Sequence, residues 1–365
     1  MKLSEPASLA VGGEPETRAE RRGRAGVIVL NRPGALNALT LPMVRDIARA
    51  LDQFESDASI ERVVISGAGG RAFCAGGDIR WLYDRGKAGD HEAQLNFWRE
   101  EYLLNRRIKR FSKPYVALIN GVVMGGGVGV SLYGSHRVAS ERCVFAMPEV
   151  GIGFFPDVGA SWLLPRLPRR LGVYLAITGL RADAGDMVAL GLATSYVPSD
   201  AFASLGGALE NEAGPIEAIL ARFQAAPPPS RLMAEASMIE AAFATLDLTA
   251  ICAGLEAASG AGSEFAARAL VALAQKSPTS QAIALRQMIE GGELSFEAAV
   301  AMEFRIVSRI CRGHDFYEGV RAAIVDRDNR PLWRPAPDEP LDSQAIDAYF
   351  APLGGDELAY SRAAA

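Results

Sequence analysis

Short, unbroken apolar runs alternate with helical spacings along the first half of the chain. The runs at 26–30, 62–66 and 115–119 are compact and branched, which is typical of strands buried on both faces. A helical spacing follows Thr40, a suitable N-cap residue. Its apolar face carries Met43, Ile47, Leu51 and Phe54. This alternation predicts an α/β core with a largely buried sheet, which we place at residues 24–200, after an N-terminal extension at 1–23.

Beyond residue 200 the pattern becomes helical. An alanine-rich stretch is broken by prolines at 227–229, and we expect a helix to begin at Ser295 and to end at Gly313. The sequence DFYE at 315–318 predicts a capping box for the following helix. The proline-rich stretch 329–341 is expected to run extended over the surface. We therefore predict a C-terminal helical region over 201–365 with a proline-rich tail.

One charged residue interrupts the apolar face of a predicted helix at 95–111. The residues sharing that face are Phe97, Glu101, Leu104, Ile108 and Phe111. A carboxylate that faces the core needs a partner or a function. A structural salt bridge to an arginine and a role in a site are both open for Glu101.

The charge and cysteine content narrow the function classes. The net charge of −5 comes without a long basic run, so we expect neither nucleic acid nor an anionic membrane as a partner. The four cysteines lie far apart without a C-x-x-C pair, which argues against a disulfide framework or a zinc site. The sequence shows neither a secretory signal nor an apolar stretch of about twenty residues. We expect a cytoplasmic protein, or one of the mitochondrial matrix if the source is eukaryotic.

The surroundings of the three histidines make them poor candidates for acid–base catalysis. His91, His136 and His314 all stand in polar or basic surroundings, away from any serine or cysteine motif. Neither G-x-S-x-G nor H-E-x-x-H occurs in the sequence. Acid–base chemistry is therefore expected from aspartate and glutamate.

Two glycine-rich segments each follow a predicted strand. The first, at 67–79, matches a loose dinucleotide-binding pattern, with Asp90 at the distance of an acidic ribose partner. The second, at 120–134, contains three successive glycines at the predicted start of a helix. Glycines allow a backbone to approach a ligand closely and to direct its amides at the ligand. A plain surface turn for the first segment and tight helix-on-sheet packing for the second are the structural alternatives.

A third segment, at 145–167, carries two acids in an apolar stretch rich in glycine and proline. Glu149 and Asp157 are its carboxylates. Apolar surroundings raise the pKa of a carboxyl group, and a neighbouring carboxylate drives two such pKa values apart. The pair is therefore a candidate for acid–base or nucleophilic chemistry, with loop capping as the structural alternative.

Together these segments resemble the crotonase (enoyl-CoA hydratase/isomerase) superfamily over residues 24–198. The similarity is greatest to its 3-hydroxyisobutyryl-CoA hydrolase subgroup. It rests on these strings: NRP, LNAL, AFCAGGDI, REEY, KPYVALINGVVMGGGVG, FAMPEVGIGFFPDVG, RGHDF, EGVRA and WRP. The resemblance implies a spiral of ββα units, completed by the later helices. It also implies an acyl-CoA substrate, with coenzyme A as part of that substrate and with no metal or redox cofactor. A homo-oligomer is left open, since trimers and their dimers are common in the superfamily.

The resemblance assigns roles to individual positions. Gly77 and Gly126 match the two residues whose amides form the oxyanion hole, where donors that point at a developing charge lower the barrier. Glu149 matches a catalytic glutamate of hydratases and hydrolases. Asp157 and Glu101 match acidic positions of the hydrolase subgroup, so we expect them to bind substrate together with Glu149 and Gly126. Glu101 is the expected acceptor for the substrate hydroxyl group.

One departure from the hydratases points to hydrolysis. Gly129 stands where hydratases carry their second catalytic glutamate, and a glycine cannot activate water. The expected reaction is the hydrolysis of a short branched 3-hydroxyacyl-CoA, 3-hydroxyisobutyryl-CoA in valine breakdown. Enoyl-CoA hydration is the alternative within the superfamily. A nicotinamide-dependent dehydrogenase and a non-catalytic acyl-CoA-binding protein are alternatives from other classes.

Overall fold

The computed structural model describes residues 14–337 and 339–360. In that part of the chain, ten strands form two sheets. The strands are β1 Thr17–Arg22, β2 Ala25–Leu30, β3 Arg62–Gly67, β4 Ala72–Cys74, β5 Tyr115–Ile119, β6 Val122–Met124, β7 His136–Ala139, β8 Val144–Ala146, β9 Ala182–Asp183 and β10 Ser195–Tyr196. The larger sheet has the order β1-β2-β3-β5-β7-β10, and the smaller one has the order β4-β6-β8-β9.

Successive strands alternate between the two sheets. Strands β3, β5 and β7 lie side by side in the larger sheet, and the strand after each of them, β4, β6 or β8, lies in the smaller one. All these pairings are parallel. Each turn of the chain therefore adds one strand to both sheets, which confirms the predicted crotonase-like ββα spiral.

The helices enclose the two sheets and form most of the chain after residue 200. They are α1 Leu41–Ser56, α2 Ile79–Lys87, α3 His91–Lys109, α4 Gly126–Gly129, α5 Ala160–Leu163, α6 Leu171–Thr178, α7 Ala184–Ala189, α8 Phe202–Asn211, α9 Ile216–Leu220, α10 Arg231–Ala234, α11 Ala236–Ala242, α12 Leu248–Gly260, α13 Glu264–Ala274, α14 Pro278–Glu290, α15 Phe296–Ile310, α16 His314–Val320 and α17 Ser343–Phe350. Shorter 3₁₀ or π turns lie at Pro33–Ala35, Glu149–Ile152, Leu164–Arg166, Pro168–Arg170, Ser199–Ala201, Arg321–Val325 and Gly354–Asp356. Within the described residues, every helix is too short or too polar to cross a membrane.

The main hydrophobic core joins the smaller sheet to the C-terminal helices. Buried residues of α14, α15 and α16 belong to the same cluster as those of α1 and α3. A second cluster lies on the other face of the larger sheet, under α8 and α9. The helices after residue 200 thus share a core with the spiral, and the domain boundary at residue 200 stays a prediction.

Most of the predicted elements are confirmed. The three apolar runs form β2, β3 and β5, and the predicted helix at 95–111 lies mainly within α3. Thr40 caps α1 by accepting a hydrogen bond from the amide of Met43 at 3.3 Å. Ser295 caps α15 in the same way, from the amide of Ala298 at 3.2 Å.

Two boundary predictions in the C-terminal region are wrong. Helix α15 ends at Ile310, and Gly313 is the N-cap residue before α16. Asp315 does not cap a helix, because its carboxylate accepts hydrogen bonds from Ser277 Oγ at 2.6 Å and from the Arg334 amide at 2.8 Å. A tertiary contact with the tail therefore replaces the local capping box.

Residues near both ends of the described chain pack against the rest of the protein, which was not predicted. Strand β1 lies within the predicted N-terminal extension and pairs antiparallel with β2, so the larger sheet begins before residue 24. The tail at 329–337 contains neither helix nor strand, as expected, but Trp333 is buried. Residues 1–13 of the predicted extension, Asp338 of the tail and residues 361–365 lie outside the described residues.

Candidate active site

The carboxyl ends of three neighbouring strands bring the predicted site residues together. Gly77 follows β4, Gly126 follows β6 and Glu149 follows β8. Because β4, β6 and β8 are adjacent and parallel, these ends lie at one edge of the smaller sheet. The edge beyond the carboxyl ends of parallel strands is a common location for ligand sites in α/β proteins.

The LNAL string holds the first glycine turn in place. The Asn37 side chain is fully buried and donates to the carbonyls of Ala68 and Ala72, both at 2.9 Å. The amide of Leu39 donates to the carbonyl of Gly76, and the Leu39 carbonyl accepts from the amide of Asp78, both at 2.8 Å. These bonds fix the backbone on both sides of Gly77.

The amides of Gly77 and Gly126 lie close to each other. A Cβ built on Gly126 would lie 3.3 Å from the amide nitrogen of Gly77. Gly126 is the first residue of α4, and the first amides of a helix lack an acceptor within it. Among the described residues, neither amide donates a hydrogen bond to another protein group. The pair can therefore receive one oxygen atom of a ligand, as an oxyanion hole does.

Three carboxyl groups line the same cavity. Glu101, Glu149 and Asp157 are only 2%, 7% and 5% exposed. Tyr102 Oη donates to Oδ2 of Asp157 at 2.9 Å. Oε1 of Glu101 and Oε2 of Glu149 have no hydrogen-bond partner within the described chain. An unpaired buried oxygen is costly in a structural acid and typical of a group that meets a ligand.

Burial and mutual repulsion shift the protonation of these acids. Burial raises the pKa of Asp157 to about 7, against the hydrogen bond from Tyr102, which lowers it. Burial and then the charge of Asp157 raise the pKa of Glu149 well above its usual range. The pKa of Glu101 is likewise raised, by burial and by the charges of Asp157 and Glu149. The cluster therefore retains protons near neutral pH, and one carboxyl can act as base while its neighbour acts as acid.

The structure excludes two of the alternative interpretations, the salt bridge of Glu101 and the dinucleotide-binding pattern. No arginine or lysine of the described chain lies within salt-bridge distance of Glu101, and the nearby Glu100 pairs with Arg45 instead. The first glycine segment runs from β3 into strand β4 rather than into a helix. Asp90 caps α3 by accepting from the amide of Ala93 at 3.2 Å. The dinucleotide-binding interpretation is therefore wrong.

Asn105 occupies the space in front of Gly129. A Cβ built on Gly129 would lie 2.5 Å from Nδ2 of Asn105, which is fully buried on α3 one turn after Glu101. A glutamate at position 129 would therefore collide with Asn105. The space beside Gly129 is therefore occupied by the Asn105 side chain, which would have to move to admit a second catalytic glutamate.

The cavity is small and mostly apolar. Its volume is about 170 Å³, below the roughly 300–1,000 Å³ typical of pockets for drug-sized ligands. Its apolar wall consists of Ile79, Leu82, Phe97, Trp98, Ile152, Phe154 and Ile324. Ile324 belongs to the C-terminal region, so that region closes one side of the cavity. A short acyl group fits this space better than a long chain does.

Metal ligation finds no support in the described residues, where no group of three or more His, Cys, Asp or Glu side chains is placed to hold an ion.

The sequence analysis did not predict three residues of the site, Asn37, Tyr102 and Asn105. Tyr102 and Asn105 lie on a helix face that looks like ordinary core. Their long-range partners, which include Asp157 55 positions away, leave no local signal.

Fold and site together define the class of protein. A family model described as enoyl-CoA hydratase/isomerase matches residues 25–350. The chain belongs to this family, and the predicted crotonase resemblance is confirmed.

Curated relatives and solved structures carry different names. The chain is 45% identical to the mitochondrial 3-hydroxyisobutyryl-CoA hydrolase of Xenopus tropicalis, over 93% of this chain and 89% of that protein. It is 42% identical to the human protein of that name, over 94% and 91%. A solved structure of a carnitinyl-CoA dehydratase from Mycobacterium thermoresistibile is 38% identical, with a TM-score of 0.90, covering 95% of this chain and 99% of that one. An enoyl-CoA hydratase structure from Rhodobacter sphaeroides 2.4.1 is 41% identical, with a TM-score of 0.88, covering 95% and 100%.

Proposed function

We propose that the protein hydrolyses a short branched 3-hydroxyacyl-CoA thioester, 3-hydroxyisobutyryl-CoA, to 3-hydroxyisobutyrate and coenzyme A, a step of valine breakdown. One arrangement supports this reaction most strongly. Two glycine amides without an acceptor in the described part of the chain share a cavity with Glu149 and Asp157, while Asn105 occupies the space beside Gly129. The names of the curated relatives support the same reaction and the same acyl group.

In the proposed reaction the thioester oxygen binds between the amides of Gly77 and Gly126. An oxygen of Glu149 attacks the carbonyl carbon, and the negative charge that develops on the thioester oxygen is stabilised by both amides. The bond between carbon and sulfur then breaks. A proton carried by Asp157 passes to the leaving sulfur, which leaves a mixed anhydride between Glu149 and the acyl group. Water then opens the anhydride, with Asp157 accepting its proton.

Direct attack by water, with Glu149 as general base, is the other path through the same residues. The apolar cavity offers little to orient a water molecule, which favours the nucleophile. Trapping with hydroxylamine during turnover, followed by peptide mass analysis, distinguishes the paths. A modified peptide containing Glu149 supports the anhydride. Label from oxygen-18 water in Glu149 after one turnover supports it as well, whereas an unlabelled Glu149 alone does not exclude it, because water can also open the anhydride at the acyl carbonyl.

Glu101 is the proposed acceptor for the hydroxyl group of the substrate. Within the described residues its Oε1 has no hydrogen-bond partner, and it lies against Gly126, at the proposed oxyanion position. A site built to bind a hydroxyl group discriminates strongly against a ligand without it, because its own polar atom is then left unpaired. Glu101 would therefore select 3-hydroxyacyl esters over simple acyl esters.

Release of free thiol from a panel of acyl-CoA esters tests the proposal. The panel contains 3-hydroxyisobutyryl-CoA, isobutyryl-CoA, 3-hydroxybutyryl-CoA and a long-chain ester, run beside an assay of crotonyl-CoA hydration. We expect thiol release to be fastest with 3-hydroxyisobutyryl-CoA and slowest with the long chain. Efficient hydration without thiol release from any ester would contradict the proposal.

Enoyl-CoA hydration remains the second candidate because two similar solved structures are of proteins named a carnitinyl-CoA dehydratase and an enoyl-CoA hydratase. Gly129 and Asn105 oppose it, since the second acid of that reaction has no place. We further propose that the enzyme uses no cofactor besides the coenzyme A of its substrate. We place it in the cytoplasm, or in the mitochondrial matrix of a eukaryotic source. The names of the relatives include the mitochondrion.

A further inference from the structure

A third buried glutamate, Glu303, lies outside the cavity but holds the turn that carries Asp157. It is fully buried on α15. One carboxylate oxygen accepts the amide of Gly159 at 2.7 Å, and the other accepts the amide of Ser161 at 2.9 Å. No cation of the described chain pairs with it. Its two oxygens are thus committed to the backbone directly after Asp157.

The turn needs such support because its backbone is strained. Val158 has φ +54°, a left-handed conformation that is unusual for a β-branched residue, and Gly159 has φ +90°. Strained conformations persist only where surrounding contacts over-determine them. Two hydrogen bonds to one buried carboxyl group provide such contacts, because an amide of the turn that moved away would lose its buried acceptor.

The C-terminal region supplies a second contact to the same turn. Gln287 of α14 donates to the carbonyl of Pro156 at 3.0 Å and to Ser161 Oγ at 2.7 Å. Glu303 and Gln287 therefore hold the backbone on both sides of Asp157. The side chain of Asp157 is held as well, because Tyr102 Oη donates a hydrogen bond to its Oδ2. Asp157 is thus fixed by its turn and by its side chain.

We propose that Glu303 is a positioning residue, which holds the turn 157–161 so that Asp157 faces Glu149 in the acyl cavity. This proposal rests on the proposed function for its effect on turnover, but its effect on the turn is independent of the reaction. Loss of Glu303 releases two backbone amides and lets the strained turn relax. Asp157 then loses its alignment, while the oxyanion amides and the apolar wall stay in place.

Two substitutions at this position and one control test the proposal. Glu303→Gln keeps the size of the side chain but can accept only one of the two amides well, whereas Glu303→Ala accepts neither. Glu297→Gln is the matched control on the same helix, since Glu297 forms ion pairs with Arg106 and Arg110 near the surface. Turnover, KM and amide hydrogen exchange over residues 158–163 are measured for each folded variant.

We expect Glu303→Gln to lower kcat about tenfold to a hundredfold, the scale of a misplaced catalytic group, with KM changed less than threefold. Exchange at Gly159 and Ser161 should become faster than in the wild-type protein and in Glu297→Gln. The Glu303→Ala variant should lose more, and Glu303→Gln carries the test if that variant does not fold.

Two outcomes would overturn the inference. A Glu303→Gln protein that unfolds at lower temperature but keeps its kcat per folded molecule has lost stability only, so Glu303 would be structural. Unchanged exchange at the two amides would mean that Glu303 does not hold the turn. If the wild-type protein hydrates crotonyl-CoA and releases no thiol, the proposed function fails. In that case the exchange measurement still decides whether Glu303 holds the turn.

Discussion

A methyl group at Gly126 should damage catalysis far more than a methyl group at Gly77, although both glycines are assigned to the oxyanion hole. A Cβ on Gly126 would overlap Oε1 of Glu101 and would lie 3.3 Å from the amide nitrogen of Gly77. It would therefore occupy space that the thioester oxygen needs and would displace Glu101. A Cβ on Gly77 would meet only the Phe97 ring, at 3.2 Å, which a small ring shift relieves.

The expected losses follow from these contacts. Removal of one oxyanion donor typically lowers kcat by about 10²–10³, or about 2.7–4 kcal/mol. We expect Gly126→Ala to lose at least that much and Gly77→Ala to stay within about tenfold of the wild-type kcat. Neither glycine has a positive φ, so an alanine suits both backbones and the two variants form a matched pair.

The assay is thiol release from 3-hydroxyisobutyryl-CoA at saturating substrate, with thermal unfolding and circular dichroism to establish that each variant is folded. Equal losses in the two variants would refute the geometric argument. A folded Gly126→Ala enzyme that keeps more than a tenth of the wild-type kcat would show that a Cβ at this position leaves the oxyanion site open, because alanine keeps the backbone amide.

Four further predictions concern the acids and the position opposite Asn105. Glu149→Gln should lower the rate of thiol release about a hundredfold or more; nearly full activity with an intact fold would exclude Glu149 from the mechanism. Glu101→Gln should slow a 3-hydroxyacyl ester more than the same ester without the hydroxyl group, whereas equal losses would indicate a structural role. Gly129→Glu should not create crotonyl-CoA hydration, because its side chain collides with Asn105; efficient hydration would show that there is room for a second acid. The pH profile of kcat/KM should rise through an apparent pKa above the usual carboxyl range, because burial raises the pKa of Glu149 and only its ionised form attacks. A rising limb centred near pH 4 would contradict that shift.

The site residues that could be predicted from the sequence are those with a recognisable pattern in the neighbouring residues. Gly77 and Gly126 stand in glycine segments after strands, and Glu149 and Asp157 stand in an apolar stretch. Glu101 was found as a lone charge on an apolar helix face. The structure brings all five together, although their roles in catalysis stay predictions.

Glu303 shows the same signal as Glu101, a lone charge on an apolar helix face, but it was not predicted as a site residue. It is the one charge on a buried face of α15, whose members are Phe296, Val300, Glu303, Val307 and Ile310. The pattern could identify a buried acid there, but not its partners, because Gly159 and Ser161 lie more than 140 positions away. Burial raises the pKa of Glu303 to about 8, while the two amides favour its ionised form.

The predictions that failed did so because tertiary contacts replaced local ones. Asp315 matches a capping box by sequence, yet its carboxylate binds Ser277 and the backbone of Arg334. Trp333 was expected on a surface tail, but its ring is buried and Nε1 donates to the Gln275 carbonyl at 3.3 Å. Local sequence patterns cannot predict which distant element will form a hydrogen bond with a polar side chain.

Mass analysis of the products from 3-hydroxyisobutyryl-CoA tests the central claim most directly, because hydrolysis and dehydration start from this one substrate and give different products. Hydrolysis yields 3-hydroxyisobutyrate and free coenzyme A, whereas the reverse of a hydratase reaction yields an enoyl-CoA with its thioester intact. We predict free coenzyme A and the hydroxy acid in equal amounts, with loss of both products in Glu149→Gln. Accumulation of the enoyl-CoA without free coenzyme A would contradict the account.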